Sequence, residues 1–73
     1  MLYELWDKET GNVVAVFPTE HAAAIMLAES IAAYGSSYVS GLALLCEDAA
    51  QRRSAIAQDD GLERLAQQHA LAR

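Results

Sequence analysis

The feature that most constrains this sequence is a pair of short apolar segments separated by a polar turn. Residues 2–6 (Leu-Tyr-Glu-Leu-Trp) and 13–17 (Val-Val-Ala-Val-Phe) are rich in β-branched and aromatic side chains, which favour strands. The polar turn between them contains Gly11, which suits the positive backbone φ of a tight connection. The pattern therefore predicts a β-hairpin.

Both faces of this hairpin are apolar, because only Glu4 interrupts the pattern. With Asp7 opposite Asn12, the side chains divide into Tyr3, Leu5, Val14 and Val16 on one face, and Leu2, Trp6, Val13 and Phe17 on the other. A hairpin with one face in water alternates apolar and polar residues. We therefore expect both faces to be covered and take the second set, Leu2, Trp6, Val13 and Phe17, as candidate interface residues.

The segment after the hairpin predicts a helix packed on one face of the sheet. Thr19 suits the N-cap position, and Glu20 places a negative charge at the positive end of the helix dipole. The helix is expected to run to about Tyr34, where Gly35 suits the C-terminal cap. Its apolar stripe, at helical spacing, consists of Ala24, Leu27, Ala28 and Ile31.

The C-terminal half predicts two strands and a second helix. Residues 41–46 are apolar on both faces, which favours a central strand, and residues 53–58 predict a fourth strand. Asp59 or Asp60 is expected to cap the final helix. One face of that helix carries Leu62, Leu65, Ala66 and His69, with Leu71 near its end. The prediction is one α+β domain over residues 1–73, with a small antiparallel-type sheet, in the order ββαββα.

So short a chain needs some supplement to its core. A domain of this size buries only about 60% of its unfolded surface. Cys46 is the single cysteine, so no internal disulfide forms, and the sequence has no CxxC or HxxxH pair for a metal. We therefore predict a homodimer or higher oligomer, formed by sheet faces or strand edges. The alternative is that the C-terminal helix folds over the second face.

Charge and patterning exclude two classes of partner. The formal net charge is −5, which argues against nucleic acid and suits a basic protein partner. The chain contains no apolar run of the roughly 20 residues needed to cross a bilayer, so no membrane contact is expected. The N-terminal residues lack the pattern of an export signal, and with a free cysteine they favour the cytoplasm.

The sequence offers little catalytic chemistry. Cys46 with His21 or His69 formally supplies a nucleophile and a base. However, Cys46 lies in the most apolar stretch, which is typical of an inert buried thiol. The acidic clusters fall at predicted turns and helix caps: Asp7/Glu9, Glu47/Asp48 and Asp59/Asp60. We predict that the protein is not an enzyme and uses no cofactor or metal.

Part of the chain resembles a known family. The stretch from Leu5-Trp6-Asp7 through Phe17-Pro18-Thr19-Glu20 to Ala22-Ala23 resembles small bacterial proteins in which a hairpin precedes a Thr-Glu-capped helix. It is also similar to HicB-type antitoxin domains over about the first 35 residues. That resemblance implies a small acidic oligomer that neutralises a basic ribonuclease. Thr19 directly follows Pro18, whereas HicB domains insert a strand there, so no functional residue is carried over.

Two functions from different classes remain open. The first is a non-enzymatic, self-associating protein-interaction module that resembles an antitoxin. The alternative is a small-molecule-binding or enzymatic oligomer whose site forms between subunits. The candidate lining of that site is Tyr3, Trp6, Tyr38 and Arg53.

Overall fold

The computed structural model describes residues 1–71, which form one four-stranded sheet and two α-helices. In chain order the elements are β1 (Leu2–Asp7), β2 (Asn12–Phe17), α1 (Glu20–Tyr34), a 3-10 helix (Ser36–Val39), β3 (Leu42–Glu47), β4 (Arg53–Gln58) and α2 (Asp60–Leu71). Neighbouring strands are antiparallel, in the order β2-β1-β3-β4. The predicted α+β class and the ββαββα order are confirmed. The side chain of Leu71, which the sequence places near the end of the final helix, lies outside the part described.

The turn between β1 and β2 is held by the Asp7 carboxylate. Its Oδ1 accepts a hydrogen bond from the Glu9 amide at 2.9 Å. Gly11 has a φ of 72°, and its amide donates to the Asp7 carbonyl at 2.8 Å. An aspartate that bonds the amide two residues on mimics a backbone turn, and glycine tolerates the left-handed position. The predicted hairpin is therefore confirmed, together with its turn residues.

Helix α1 begins and ends where the sequence predicts. The Thr19 hydroxyl accepts a hydrogen bond from the Ala22 amide at 3.0 Å, which satisfies one of the unpaired donors of the first turn. Gly35 follows the helix with a φ of 92°, and its amide donates to the Ile31 carbonyl at 2.7 Å. The chain then forms the 3-10 helix, which places Val39 in the core.

Strand β3 is central, as its two apolar faces predict. It pairs with β1 on one side and with β4 on the other. Leu44 lies opposite Leu5 in the β1–β3 pairing, and both side chains are fully buried. A strand that is paired on both edges and apolar on both faces anchors the sheet.

Both helices pack on the same face of the sheet. The core there joins Leu5 and Leu44 of the sheet to Leu27 of α1 and Leu62 of α2. Helix α2 runs antiparallel beside α1, because the end of α2 meets the start of α1 and its first turns meet the 3-10 helix. The alternative arrangement, in which the final helix covers the second face of the sheet, is therefore wrong.

The register of the hairpin departs from the prediction away from the turn. The pairs nearest the turn, Asp7↔Asn12 and Trp6↔Val13, are as predicted. An extra residue in β2, Val14, then shifts the remaining pairs to Leu5↔Ala15, Glu4↔Val16 and Tyr3↔Phe17. A bulge of this kind sets two residues of one strand against one of the other. Strand β4 has a similar bulge at Ile56, between the pairs Leu45↔Ala55 and Leu44↔Ala57.

The bulge in β2 exchanges the faces of two residues. Phe17 packs against the core beside Tyr3, on the side that the helices cover. Val16 lies opposite Glu4 and is 53% exposed on the other side. The prediction that Phe17 shares a face with Leu2, Trp6 and Val13 is therefore wrong. The predicted placement of Val16 with Leu5 is wrong for the same reason.

Asp59 connects three parts of the fold. Its Oδ1 accepts from the Gly41 amide at 2.8 Å, and its Oδ2 pairs with Lys8 Nζ at 2.7 Å. The Asp59 amide donates to the Leu42 carbonyl at 3.0 Å. The sequence predicts Asp59 or Asp60 as the cap of α2, but this carboxylate bonds the start of β3 and the hairpin turn instead. The Lys8 hydrogen bond, and then the Gly41 amide, lower the pKa of Asp59.

Candidate functional site

The sheet surface opposite the helices is the main candidate site, and we call it the open face. The strand registers place on it one row from each strand: Leu2, Glu4 and Trp6 of β1, Val13 and Val16 of β2, Ala43, Leu45 and Glu47 of β3, and Arg53, Ala55 and Gln58 of β4. Leu2 is 48% exposed and Val13 is 42% exposed. Among residues 1–71, no helix lies over this face.

A small charged group crosses the apolar rows of the open face. Arg53 Nε lies 3.0 Å from Glu4 Oε1 and 3.6 Å from Glu47 Oε2. The guanidinium also lies 5.9 Å from the centre of the Trp6 ring, within the range of a cation–π interaction. Half of the Arg53 side chain is exposed, whereas Glu4 is largely covered. One cation therefore lies between two carboxylates, with a free side toward solvent.

The predicted interface residues are only partly brought together. Leu2, Trp6 and Val13 share the open face. Phe17 lies on the covered side, and Val16 takes its place in the exposed row. The indole Nε1 of Trp6 is buried, and within the described part of the chain it has no hydrogen-bond partner. The sequence predicts correctly which strands carry the exposed residues. It does not predict the bulge that exchanges Phe17 and Val16, because the valines of β2 fit a strand in either register.

The candidate lining of a small-molecule site does not converge. Trp6 and Arg53 are neighbours on the open face. Tyr3 packs against the core from the covered face, where burial and then the Cys46 thiol raise its pKa. Tyr38 stacks on Tyr34 with ring centres 5.7 Å apart, in the 3-10 helix. The four residues thus fall in three separate places.

The acidic clusters lie in or beside the turns and connections where the sequence places them, except that Glu47 belongs to β3 and faces the open side of the sheet. The Asp7 carboxylate is part of the hairpin turn. Asp48 Oδ1 closes the β3–β4 connection by accepting from the amides of Ala50 at 2.9 Å and Arg52 at 3.0 Å. Between Met1 and Leu71, no group of three or more His, Cys, Asp or Glu side chains is arranged to hold a metal ion.

The fold brings the two histidines together, which sequence spacing did not suggest. His21 lies in the first turn of α1 and His69 in the last turns of α2, yet their Nδ1 atoms are 3.0 Å apart. The Nε2 of His69 lies 3.1 Å from Glu20 Oε2. Cys46 is buried in β3 and contacts Tyr3. The sequence alone gives the positions of the two histidines at the start of one helix and near the end of the other. They meet because the two helices are antiparallel.

Two shallow depressions lie on the helical side. One, of about 290 Å³, lies between the 3-10 helix and the start of α2 and is lined by Ser36, Val39, Ser40, Asp59, Asp60 and Glu63. The other, of about 200 Å³, is an apolar groove between the two helices, lined by Ala28, Ile31, Ala32, Glu63, Ala66 and Gln67. The first contains the Ser36 hydroxyl, which donates a hydrogen bond to the Glu63 carboxylate. Among the described residues, no histidine or cysteine lines either depression, so neither offers the imidazole or thiol of a typical catalytic pair.

Comparison with known proteins adds no relative. The chain matches none of the known protein families, none of the curated proteins and none of the solved structures. In the described range 1–71, neither helix has the length and apolar character needed to cross a membrane.

Proposed function

We propose that this protein is a non-enzymatic, self-associating interaction module that binds through the open face of its sheet. The observation that carries the proposal is the apolar character of the sheet surface opposite the helices. The solvent-facing side of a sheet in a small α+β domain normally carries polar side chains. Here Leu2, Val13 and Val16 are each about half exposed on it.

The energetics favour covering this surface. Fully burying a valine or leucine side chain contributes about 1.5–3 kcal/mol. These side chains are already half covered, so covering the rest of each one contributes only a fraction of that free energy. A small domain has a total stability of only about 5 kcal/mol or somewhat more, so several such gains are significant. Two sheets pack face to face at about 10 Å, a spacing that interdigitated side chains of this size fill.

The charge pattern favours a second copy as the occupant. In a two-fold symmetric dimer the same patch meets itself, so it must contain complementary groups. The open face carries Arg53 between Glu4 and Glu47. A symmetric partner is therefore able to present its own arginine to the carboxylates of this chain, while the apolar rows on either side meet each other.

The proposal extends to a partner of opposite charge. The net charge of −5 per chain favours a basic protein, in the cytoplasm to which the sequence points. The resemblance to HicB-type antitoxin domains extends the proposal to a basic ribonuclease. Co-purification with such a protein, lost when the salt concentration is raised, is the result that this extension predicts.

The test compares two glutamate substitutions. Val16→Glu places a charge on the open face, and Ala33→Glu places the same charge on an exposed position of α1. Light scattering after size exclusion, across a dilution series, is expected to give at least twice the 7.9 kDa chain mass for the wild type and for Ala33→Glu. Val16→Glu is expected to give the monomer. A wild-type monomer at every concentration contradicts the proposal.

A further inference from the structure

The contact between His21 and His69 is a candidate metal site that is independent of the open face. The two imidazoles come from different helices, with ring centres 5.2 Å apart and ring planes tilted by 48°. Their Nδ1 atoms face each other at 3.0 Å. His21 is exposed and His69 is partly covered, so an ion has access from solvent.

Glu20 determines which nitrogen of His69 carries a proton. A carboxylate only accepts hydrogen bonds, so the Nε2–H of His69 donates to Glu20 Oε2 at 3.1 Å. In the neutral imidazole, Nδ1 of His69 then carries a lone pair, and it accepts the Nδ1–H of His21. Imidazoles that bind metals through one nitrogen commonly donate the other N–H to a carboxylate, which fixes the tautomer and the ring orientation.

The two nitrogens, which share a hydrogen bond, are close enough to bind one ion together once both rings turn toward it. Metal–imidazole bonds are about 2.0–2.1 Å long. Two such bonds to nitrogens 3.0 Å apart enclose an angle of about 94° at the ion. That angle is close to the right angle between neighbouring positions of octahedral or square-planar ions such as Ni²⁺ and Cu²⁺. Among divalent first-row ions, Ni²⁺ and Cu²⁺ also bind nitrogen ligands strongly.

We propose that His21 and His69 form a two-histidine site for a late first-row divalent cation of the Ni²⁺ or Cu²⁺ type, with Glu20 as the residue that positions His69. Two nitrogen–metal bonds form through the lone pairs of the two Nδ1 atoms. The proton on His21 Nδ1 moves to its exposed Nε2, so both imidazoles remain neutral. Water fills the remaining coordination positions. The ion then joins the first turn of α1 to the last turns of α2.

The test uses untagged, metal-free protein and Ni²⁺ alone as the probe. Binding measured by calorimetry is expected to show one ion per chain. Because a ligand that binds only the folded state stabilises it, saturating Ni²⁺ is expected to raise the unfolding temperature by several degrees. His21→Gln and His69→Gln are each expected to abolish both effects while the apo proteins remain folded.

Two further variants separate this site from other ligands. Glu20→Gln keeps a hydrogen-bond acceptor but loses the charge, and it is expected to weaken Ni²⁺ binding by about 10-fold to 100-fold. Cys46→Ala is expected to bind Ni²⁺ as tightly as the wild type. Binding that survives both histidine substitutions, or that disappears in Cys46→Ala, overturns the proposal. So does a stoichiometry of one ion per two chains, because the site lies within one chain.

Discussion

At the scale of single residues, the Asp59 side chain links segments that are far apart in the sequence. Its φ of 52° is in the left-handed region, which aspartate and asparagine tolerate better than most residues. Its two oxygens join the Gly41 amide to the Lys8 ammonium. Asp59 therefore connects the start of β3 and the hairpin turn to the start of α2. From the sequence we expected only a helix cap at this position.

The lowered pKa of Asp59 predicts a dependence of stability on pH. A carboxyl whose folded pKa is lowered adds stability above its ordinary value, near 3.8, and that contribution disappears as the pH falls through the lowered folded pKa. Asp59→Asn keeps the backbone conformation but removes the charge. We expect it to be less stable than the wild type at pH 7, with a difference that shrinks toward pH 2.

Urea unfolding at several pH values measures that difference. Asp60→Asn is the matched control, because Asp60 is 87% exposed and makes only a loose ion pair with Arg64, at 3.6 Å. Its effect is expected to be small at neutral pH. Equal destabilisation by the two substitutions contradicts the role assigned to Asp59.

At the scale of elements, α1 is the segment that local sequence defines best. Its cap predicts a measurable cost: Thr19→Ala is expected to lower the free energy of unfolding by about 0.5–2 kcal/mol, because the Ala22 amide loses its acceptor. Thr10→Ala is the control, since the Thr10 hydroxyl accepts only a long bond of 3.4 Å. Thr19→Asp is expected to restore stability. Identical effects of the two alanine substitutions contradict the assignment.

The elements show where prediction from sequence stops. Strand and helix types follow from local patterns, so the ββαββα order and the central place of β3 were predicted correctly. The bulge at Val14 was missed, because its valine neighbours favour a strand equally in either register. The sequence does not decide on which side of the sheet α2 packs, because the apolar face of this helix fits either side. The His21–His69 contact depends on that position and was therefore missed as well.

At the scale of the whole molecule, the chain is a slab of two layers. Its extents are 34 × 30 × 16 Å, with the sheet as one broad side and the helices as the other. Because α1 and α2 share one core with the sheet, neither helix covers the open face. The proposed dimer then has four layers, with the helices outside and the two sheets packed together.

This arrangement makes stability depend on concentration. Association that requires the folded chain stabilises it by mass action, so the unfolding temperature of the wild type is expected to rise with protein concentration. That of Val16→Glu is expected to stay constant over the same range. Differential scanning calorimetry over a 100-fold range of concentration measures both. A wild-type midpoint that does not change with concentration contradicts self-association as a source of stability.

The two bulges have a consequence for solubility. Both outer strands of the sheet, β2 and β4, contain one, at Val14 and at Ile56. An extra residue bends the strand and breaks the regular row of amide and carbonyl groups that a further chain needs for pairing. The valine-rich segment of β2, if straight, is the kind that stacks into cross-β fibrils. The two bulges therefore discourage the addition of further strands at the edges of this sheet.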